Sequence, residues 1–380
     1  MSGRIFYALL TAILLVLGSL VRTPAGGFVS HRERTRGEAA STLCMLLIFL
    51  IMVIPESLRV NVGNDYAKYV EFMHLANCHA YVPTEPGFNW FVRLIYGLCG
   101  YENYLLVFAL FAALTALFFL LALRQQADHF LFSFFIFLTS GYYLQSYNTV
   151  RYYLALAVSL FALKFLLDRE WLPFVFWILL AASFHKSVLV VLILYTLCLL
   201  SWKKWQVAAA CAAGILAALT SSFWLKVLVL LYPSYEGTDF LGKIRFSYVN
   251  ILRCAAVLLL AYAAGRTGEV GKAFLRERRN LFYIRCTLLA LGIYVFGAFV
   301  PEVSRIAYYL MITQVFLIPA ALRSFPEGKK QKRAMRLVIA AFVIYFAVFL
   351  VRAGEQNIKI LPYQTILFHD MPRTLSEVTN

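Results

Sequence analysis

The residues that could do chemistry in this chain stand out because an apolar sequence has little use for them. In LPFVFWILLAASFHKSVLVVLILYTLCLL, Leu172 to Leu200, the pair His185–Lys186 interrupts the hydrocarbon. As one helix that run would reach roughly 43 Å, beyond the ~30 Å core of a bilayer. A turn at Ser183 to Ser187 makes two short spans of it and places His185 and Lys186 at one membrane face. At the start of a neighbouring apolar run Asn148, Arg151, Tyr152 and Ala155 fall at helical intervals, and Glu302, Arg305, Tyr308 and Tyr309 do the same further on. Arg59, a basic residue at the outer end of a span, completes the set. An arginine fork holds anionic oxygens bidentately whatever the pH, and an imidazole that titrates near neutrality moves protons. The plainer reading is that the arginines snorkel to headgroups and that the tyrosines, Tyr142, Tyr143, Tyr147, Tyr152 and Tyr153 among them, form an interfacial belt.

These residues must be positioned by membrane helices. Hydrophobic residues make up 62% of the chain and charged residues 14%, and apolar runs near twenty residues recur from end to end. Bare backbone N–H and C=O groups are intolerable in lipid, and the runs are too long and too uniformly apolar for barrel strands, so the fold is all-α and polytopic. About twelve spans are expected, near residues 5–21, 41–55, 103–123, 130–146, 149–167, 171–184, 187–201, 206–222, 249–265, 281–300, 305–323 and 335–352. Residues 86–100 and 223–232 read as amphipathic or re-entrant helices outside the bilayer core. Nothing remaining is large enough for a soluble domain, so residues 1–380 form a single integral membrane domain.

Lysine and arginine set the orientation. One set of connections carries twenty of the thirty-five basic residues, including Arg22 to Arg36, Arg266 to Arg279 and Arg323 to Arg336, and marks the cytoplasmic side. Both termini then face outward. A cleaved leader ending near Pro24-Ala25-Gly26 would put the first basic segment outside, against the same rule. The outward side receives residues 56–102, a second loop at 232–248 and the tail 353–380, together with the turns that bear Arg151, His185 and Arg305. A net charge of +16 requires no nucleic acid, because most of it is loop charge beside anionic lipid.

Other chemistries find little footing. The seven cysteines show no CxxC spacing, and Cys44, Cys198, Cys211, Cys254 and Cys286 lie inside spans. Cys78 and Cys99 share the outward segment, where an oxidising compartment would let them pair. His74, Cys78 and His79 match no established metal spacing. There is no dinucleotide loop, P-loop or GxSxG elbow, and no internal two-fold repeat.

The ordered strings RVNVGNDYAKY (Arg59 to Tyr69), EPGFNWF (Glu85 to Phe91), NTVRYYLALAVSLFA (Asn148 to Ala162), SFHKS (Ser183 to Ser187) and EVSRIAYYL (Glu302 to Leu310) resemble the EpsG family of bacterial exopolysaccharide proteins, relatives in role of the Wzy polymerases. The resemblance runs from about residue 40 to Pro362-Tyr363; it departs at NVGND, where Asn64 stands in place of an expected threonine. It implies a metal-independent, GT-C-like glycosyltransferase of the bacterial inner membrane with no cofactor. Such an enzyme transfers a glycan from an undecaprenyl-pyrophosphate donor to a lipid-linked repeat unit at the outer face, with membrane lipids and a chain-length regulator as further candidate partners.

On that implication the pyrophosphate leaving group is held by Arg151 and Arg305 first, then by Arg59 and Lys186. The base that takes the acceptor's proton is His185, Asp65 or Glu85, in that order. Tyr66, Tyr147, Asn148, Tyr152, Glu302 and Tyr308 position sugars. Asp65 reads equally as the cap of a loop helix and Pro86-Gly87 as a turn former. Two other classes share the architecture. A lipid-linked glycan flippase would carry charges through both halves of the membrane, and an acyltransferase that decorates glycans would place polar groups at the cytoplasmic face or through the core.

Overall fold

The computed structural model of the chain describes residues 3–21, 36–231, 246–300, 303–356 and 358–369. There the protein is an all-α polytopic membrane protein. Helices α1 (Gly3–Ser19), α2 (Arg36–Ser57), α3 (Tyr66–Asn77), α4 (Pro86–Cys99), α5 (Tyr104–Gln126), α6 (Phe130–Thr139), α7 (Tyr142–Gln145), α8 (Val150–Leu167) and α9 (Trp171–Ala182) precede a 3-10 turn at Lys186–Leu189. Then come α10 (Val190–Leu199), α11 (Lys204–Leu219), α12 (Ser221–Leu231), α13 (Tyr248–Gly265), α14 (Gly268–Arg276), α15 (Arg278–Phe296), α16 (Val303–Met311), α17 (Gln314–Arg323) and α18 (Lys329–Arg352).

Among the described residues seven helical segments are long and apolar enough to cross a membrane, or eight if α11 and the start of α12, bent by 81°, act as one. Four shorter apolar helices, Gly3–Ser19, Phe130–Thr139, Trp171–Ala182 and Lys186–Leu199, occupy the other expected spans. The expected span at 130–146 is interrupted: α6 stops at Ser140, and Gly141, at φ +79°, turns the chain into α7. The span at 305–323 is built from α16 and α17, which together make one candidate span, Val303–Arg323. The amphipathic helix expected at 86–100 forms as α4, with Pro86 at its first position and Phe88, Val92, Ile95 and Tyr96 on its buried side. Gly100, at φ +74°, ends it.

The chain divides into two compact units, Met1–Val188 with Lys332–Asn380, and Leu189–Gln331. In the first, α5 packs against α2 and α8, α8 against α9, α1 against α2 and α6, and α3 against α4. Almost every residue of α8 is buried, so this helix forms the centre of the unit. In the second, α15 packs against α10, α11, α13 and α16, and α13 against α17.

One end of the first unit is closed by an irregular segment, residues 58–65, along which the chain's C-terminal stretch runs antiparallel. Val60 N donates to Gln364 O at 3.0 Å, Ile366 N to Leu58 O at 3.0 Å and Gly63 N to Lys359 O at 2.8 Å. Tyr363 stacks on Phe6 at 4.6 Å and donates to Pro55 O at 2.9 Å. Cys78 and Cys99 are both free thiols.

Candidate functional site

The site is built where α4, the start of α8 and the turn after α9 converge in the first unit. Glu85 is held extended, at φ −72° and ψ 150°, by the proline that follows it and so stands just outside α4. The first turn of that helix is pressed onto the 183–186 turn: Gly87 N donates to Ser183 O at 2.9 Å, and a Cβ on Gly87 would lie 2.6 Å from the same oxygen. Only glycine permits that approach.

The approach brings the Glu85 carboxylate between two segments far apart in sequence. Its Oε2 accepts from Arg151 Nη1 in a close ion pair; its Oε1 accepts from the backbone N–H of Lys186 at 3.1 Å and lies 3.7 Å from His185 Nδ1. All three side chains are largely enclosed, with 12–14% of their surface exposed. The Arg151 guanidinium lies over the rings of Phe88 (5.2 Å) and Tyr69 (5.6 Å). Its Nε is buried with no hydrogen-bond partner among the described residues. The Tyr152 ring meets the His185 ring edge-on at 5.5 Å. With the imidazole neutral, Arg151, Lys186 and Glu85 sum to one positive charge. A carboxylate that fixes both an imidazole and a guanidinium can orient a general base beside an anion-binding donor.

Arg59, Tyr66 and Tyr147 lie elsewhere and correct the expectation made of them. Arg59 has no exposed surface. Its donors go to the carbonyls of Glu56 (2.5 Å), Val62 (3.2 Å) and Tyr147 (3.2 Å), it is 3.7 Å from the Glu56 carboxylate, and it lies over Phe108 and Tyr147. A guanidinium so enclosed ties the 58–65 segment to the start of α8 and has no face for a pyrophosphate. Tyr66 and Tyr147 are also fully buried and cannot meet a sugar; Tyr147 Oη pairs with Tyr143 Oη at 2.9 Å, and burial raises the pKa of the Tyr66 phenol. Asn148 Oδ1 accepts from Asn64 N at 2.6 Å, and Gly63, at φ +107°, packs so closely on Tyr147 O that a Cβ would sit 2.4 Å from it. Asn148 thereby fixes this loop. The glycine in NVGND is needed on steric grounds, whereas the residue after it contributes its backbone N–H.

Asp65 occupies the N-cap position of α3, whose Tyr69 reaches Arg151. Arg305 and Tyr308 lie half-buried on α16 in the second unit, and Glu302 is outside the described residues. Four side chains escaped the reading of the sequence. Tyr69 and Phe88 wall Arg151, and the signal for each was helical spacing, four residues from Asp65 and three from Glu85. In the second unit Arg253, buried in α13, donates from Nε to Gln314 Oε1 of α17 at 2.9 Å. Arg253 was legible as a lone charge inside an apolar run.

Comparison with curated proteins and with solved structures finds no match. A family model does match, over residues 42–365, and its end coincides with the stretch that pairs with the Arg59 segment. All five strings that carried the resemblance lie within that range, so the chain belongs to the EpsG family and is an exopolysaccharide-related membrane protein.

Proposed function

We propose that the protein is a Wzy-like polysaccharide polymerase. The donor is a glycan on undecaprenyl pyrophosphate, the acceptor is a sugar hydroxyl of a lipid-linked repeat unit, and the reaction takes place at the outer face of the cytoplasmic membrane. No nucleotide sugar is present on that side, so the phosphoanhydride-linked lipid supplies the energy. The acceptor oxygen forms a bond to the donor's anomeric carbon as the bond from that carbon to the pyrophosphate oxygen breaks. The acceptor proton passes to Nε2 of His185, whose Nδ1 side faces Glu85. Lipid pyrophosphate leaves with its charge on Arg151, assisted by Lys186.

The observation that carries this reading is the state of Arg151: enclosed by aromatic rings, paired through Nη1 with a carboxylate that also faces His185, and with a buried Nε donor unused among the described residues. The Arg151 side chain keeps 12% of its surface, and through that opening an anionic oxygen of the substrate would meet the guanidinium. The spacing of its own stripe makes Arg305 a separate candidate for holding an anionic oxygen.

The test is the pattern of lipid-linked glycans in cells that express His185→Ala, Arg151→Ala or Arg305→Ala. A polymerase defect leaves single repeat units on lipid at the outer face. Units trapped in the inner leaflet would establish a flippase instead, and full-length chains that lack a substituent would establish an acyltransferase.

A further inference from the structure

The outward segment holds a second cluster, separate from the site above. His74, in the last turn of α3, and Cys78, four residues on at the end of the same helix, share one face. Cys78 is fixed in place by its backbone N–H, which donates to His74 O at 3.0 Å. Its sulfur lies 3.8 Å from His74 Nε2. The other ring nitrogen, Nδ1, is 2.9 Å and 3.0 Å from the two oxygens of Glu102, which arrives from the connection between α4 and α5, and Asn77 Nδ2 donates to Glu102 at 2.9 Å. The donor atoms of His74, Cys78 and Glu102 all lie within 4.8 Å of one another.

We infer that this cluster binds a late first-row divalent metal ion of the zinc class. An ion about 2.1 Å from nitrogen and about 2.3 Å from sulfur spans the observed 3.8 Å at an angle of about 120°, close to the tetrahedral preference of zinc. Thiolate with imidazole selects such ions over magnesium or calcium. Glu102 occupies the place of the carboxylate that orients a metal-bound histidine from behind, and Asn77 steadies it. His74 and Glu102 keep 45% and 38% of their surface, so water completes the coordination and the ion exchanges with solution. The ion would fasten the end of α3 through His74 to the α4–α5 connection, and α3 carries the Tyr69 ring that covers Arg151.

His74, Cys78 and His79 match no established metal spacing along the chain; the fold supplies Glu102 as the group that organises His74 and Cys78. This inference does not depend on the polymerase reading, because its readout is metal binding alone. The full-length protein, purified in detergent and reduced, is titrated with Co²⁺. Binding at the site gives a near-ultraviolet sulfur-to-cobalt charge-transfer band and intense visible bands of a tetrahedral centre, both reversed by Zn²⁺. Cys78→Ser removes the charge-transfer band and His74→Gln removes binding. Glu102→Gln weakens the site about ten- to a hundredfold while leaving the band shape unchanged. Cys99→Ser and Cys211→Ser change nothing. Absence of the band in the parent protein, its persistence in Cys78→Ser, or full affinity in Glu102→Gln would overturn the proposal.

Discussion

Gly87→Ala tests the geometry of the site through one methyl group that touches none of its charged residues. The new carbon would lie 2.6 Å from both the carbonyl oxygen and the hydroxyl of Ser183. Ordinary contact begins at 3.4 Å, so the first turn of α4 and the 183–186 turn must part by about 0.8 Å. That stretches the Gly87 N to Ser183 O hydrogen bond from 2.9 Å to about 3.7 Å, outside bonding range, and draws the Glu85 carboxylate away from Lys186 N and His185. Overpacking of this kind costs about 1–3 kcal/mol of stability. A misplacement near 1 Å costs about a hundredfold in rate, or about 2.8 kcal/mol of activation free energy. Gly97→Ala is the matched control, on the same helix with nothing within 4 Å of the added carbon. Under the proposed function the assay compares glycan chain length and the ratio of single units to polymer at equal protein level, with thermal stability measured in detergent. Wild-type polymer from Gly87→Ala, or an equal loss from Gly97→Ala, would refute the idea that docking of α4 on this turn sets the chemistry.

Arg59→Leu should destabilise the fold by about 3–5 kcal/mol, because it strands the buried Glu56 carboxylate and three carbonyls, and Arg59→Lys should not restore it; detergent melting curves read both. Tyr69→Leu removes the aromatic face beside Arg151, worth about 0.5–2 kcal/mol, and the packing of a buried ring on Phe88 and Phe108, so under the proposed function polymer shortens and the melting temperature falls with it. Gln314→Leu takes the acceptor from Arg253 Nε inside the bundle, at a cost of about 1.5–3 kcal/mol, and the melting temperature should fall accordingly.

What the sequence could disclose here followed from local rules. The break at Ser183 to Ser187 was legible because one helix of that length overshoots a bilayer, and the chain does turn there, through Ser183 and Phe184 into the Lys186–Leu189 3-10 turn. The amphipathic face of α4 was written in the spacing of its apolar residues, whereas Pro86-Gly87, which reads as a turn former, opens the first turn of that helix. Arg151 was visible as a misplaced charge and Glu85 through the family string EPGFNWF, but their pairing was not, since it joins residues 66 positions apart through the tertiary fold. Arg59 misled for the opposite reason. A charge outside the apolar runs looks available, and only its tertiary neighbours reveal that carbonyls enclose it. The interruption at Gly141 was hidden inside an apolar run, where a single positive φ halves a span without changing its hydropathy.

The arrangement around Glu85 also explains how a guanidinium can be enclosed at this point of the fold. An unpaired guanidinium held among Phe88, Tyr69 and α8 would carry a heavy desolvation cost, and the carboxylate offsets it. Because the same carboxylate faces His185, the two tasks are coupled. Under the proposed function, a pyrophosphate that attracts the Arg151 fork would loosen its pairing with Glu85, and the negative charge released would then face the imidazole as it gains a proton. Under the polymerase reading, arrival of the leaving group's charge and strengthening of the base are one event, with Glu85 serving each partner in turn. Under the same reading His185 carries the proton and Glu85, 3.7 Å from its Nδ1, positions it, while Asp65 stands at the opening of α3, the helix whose Tyr69 lies beside Arg151.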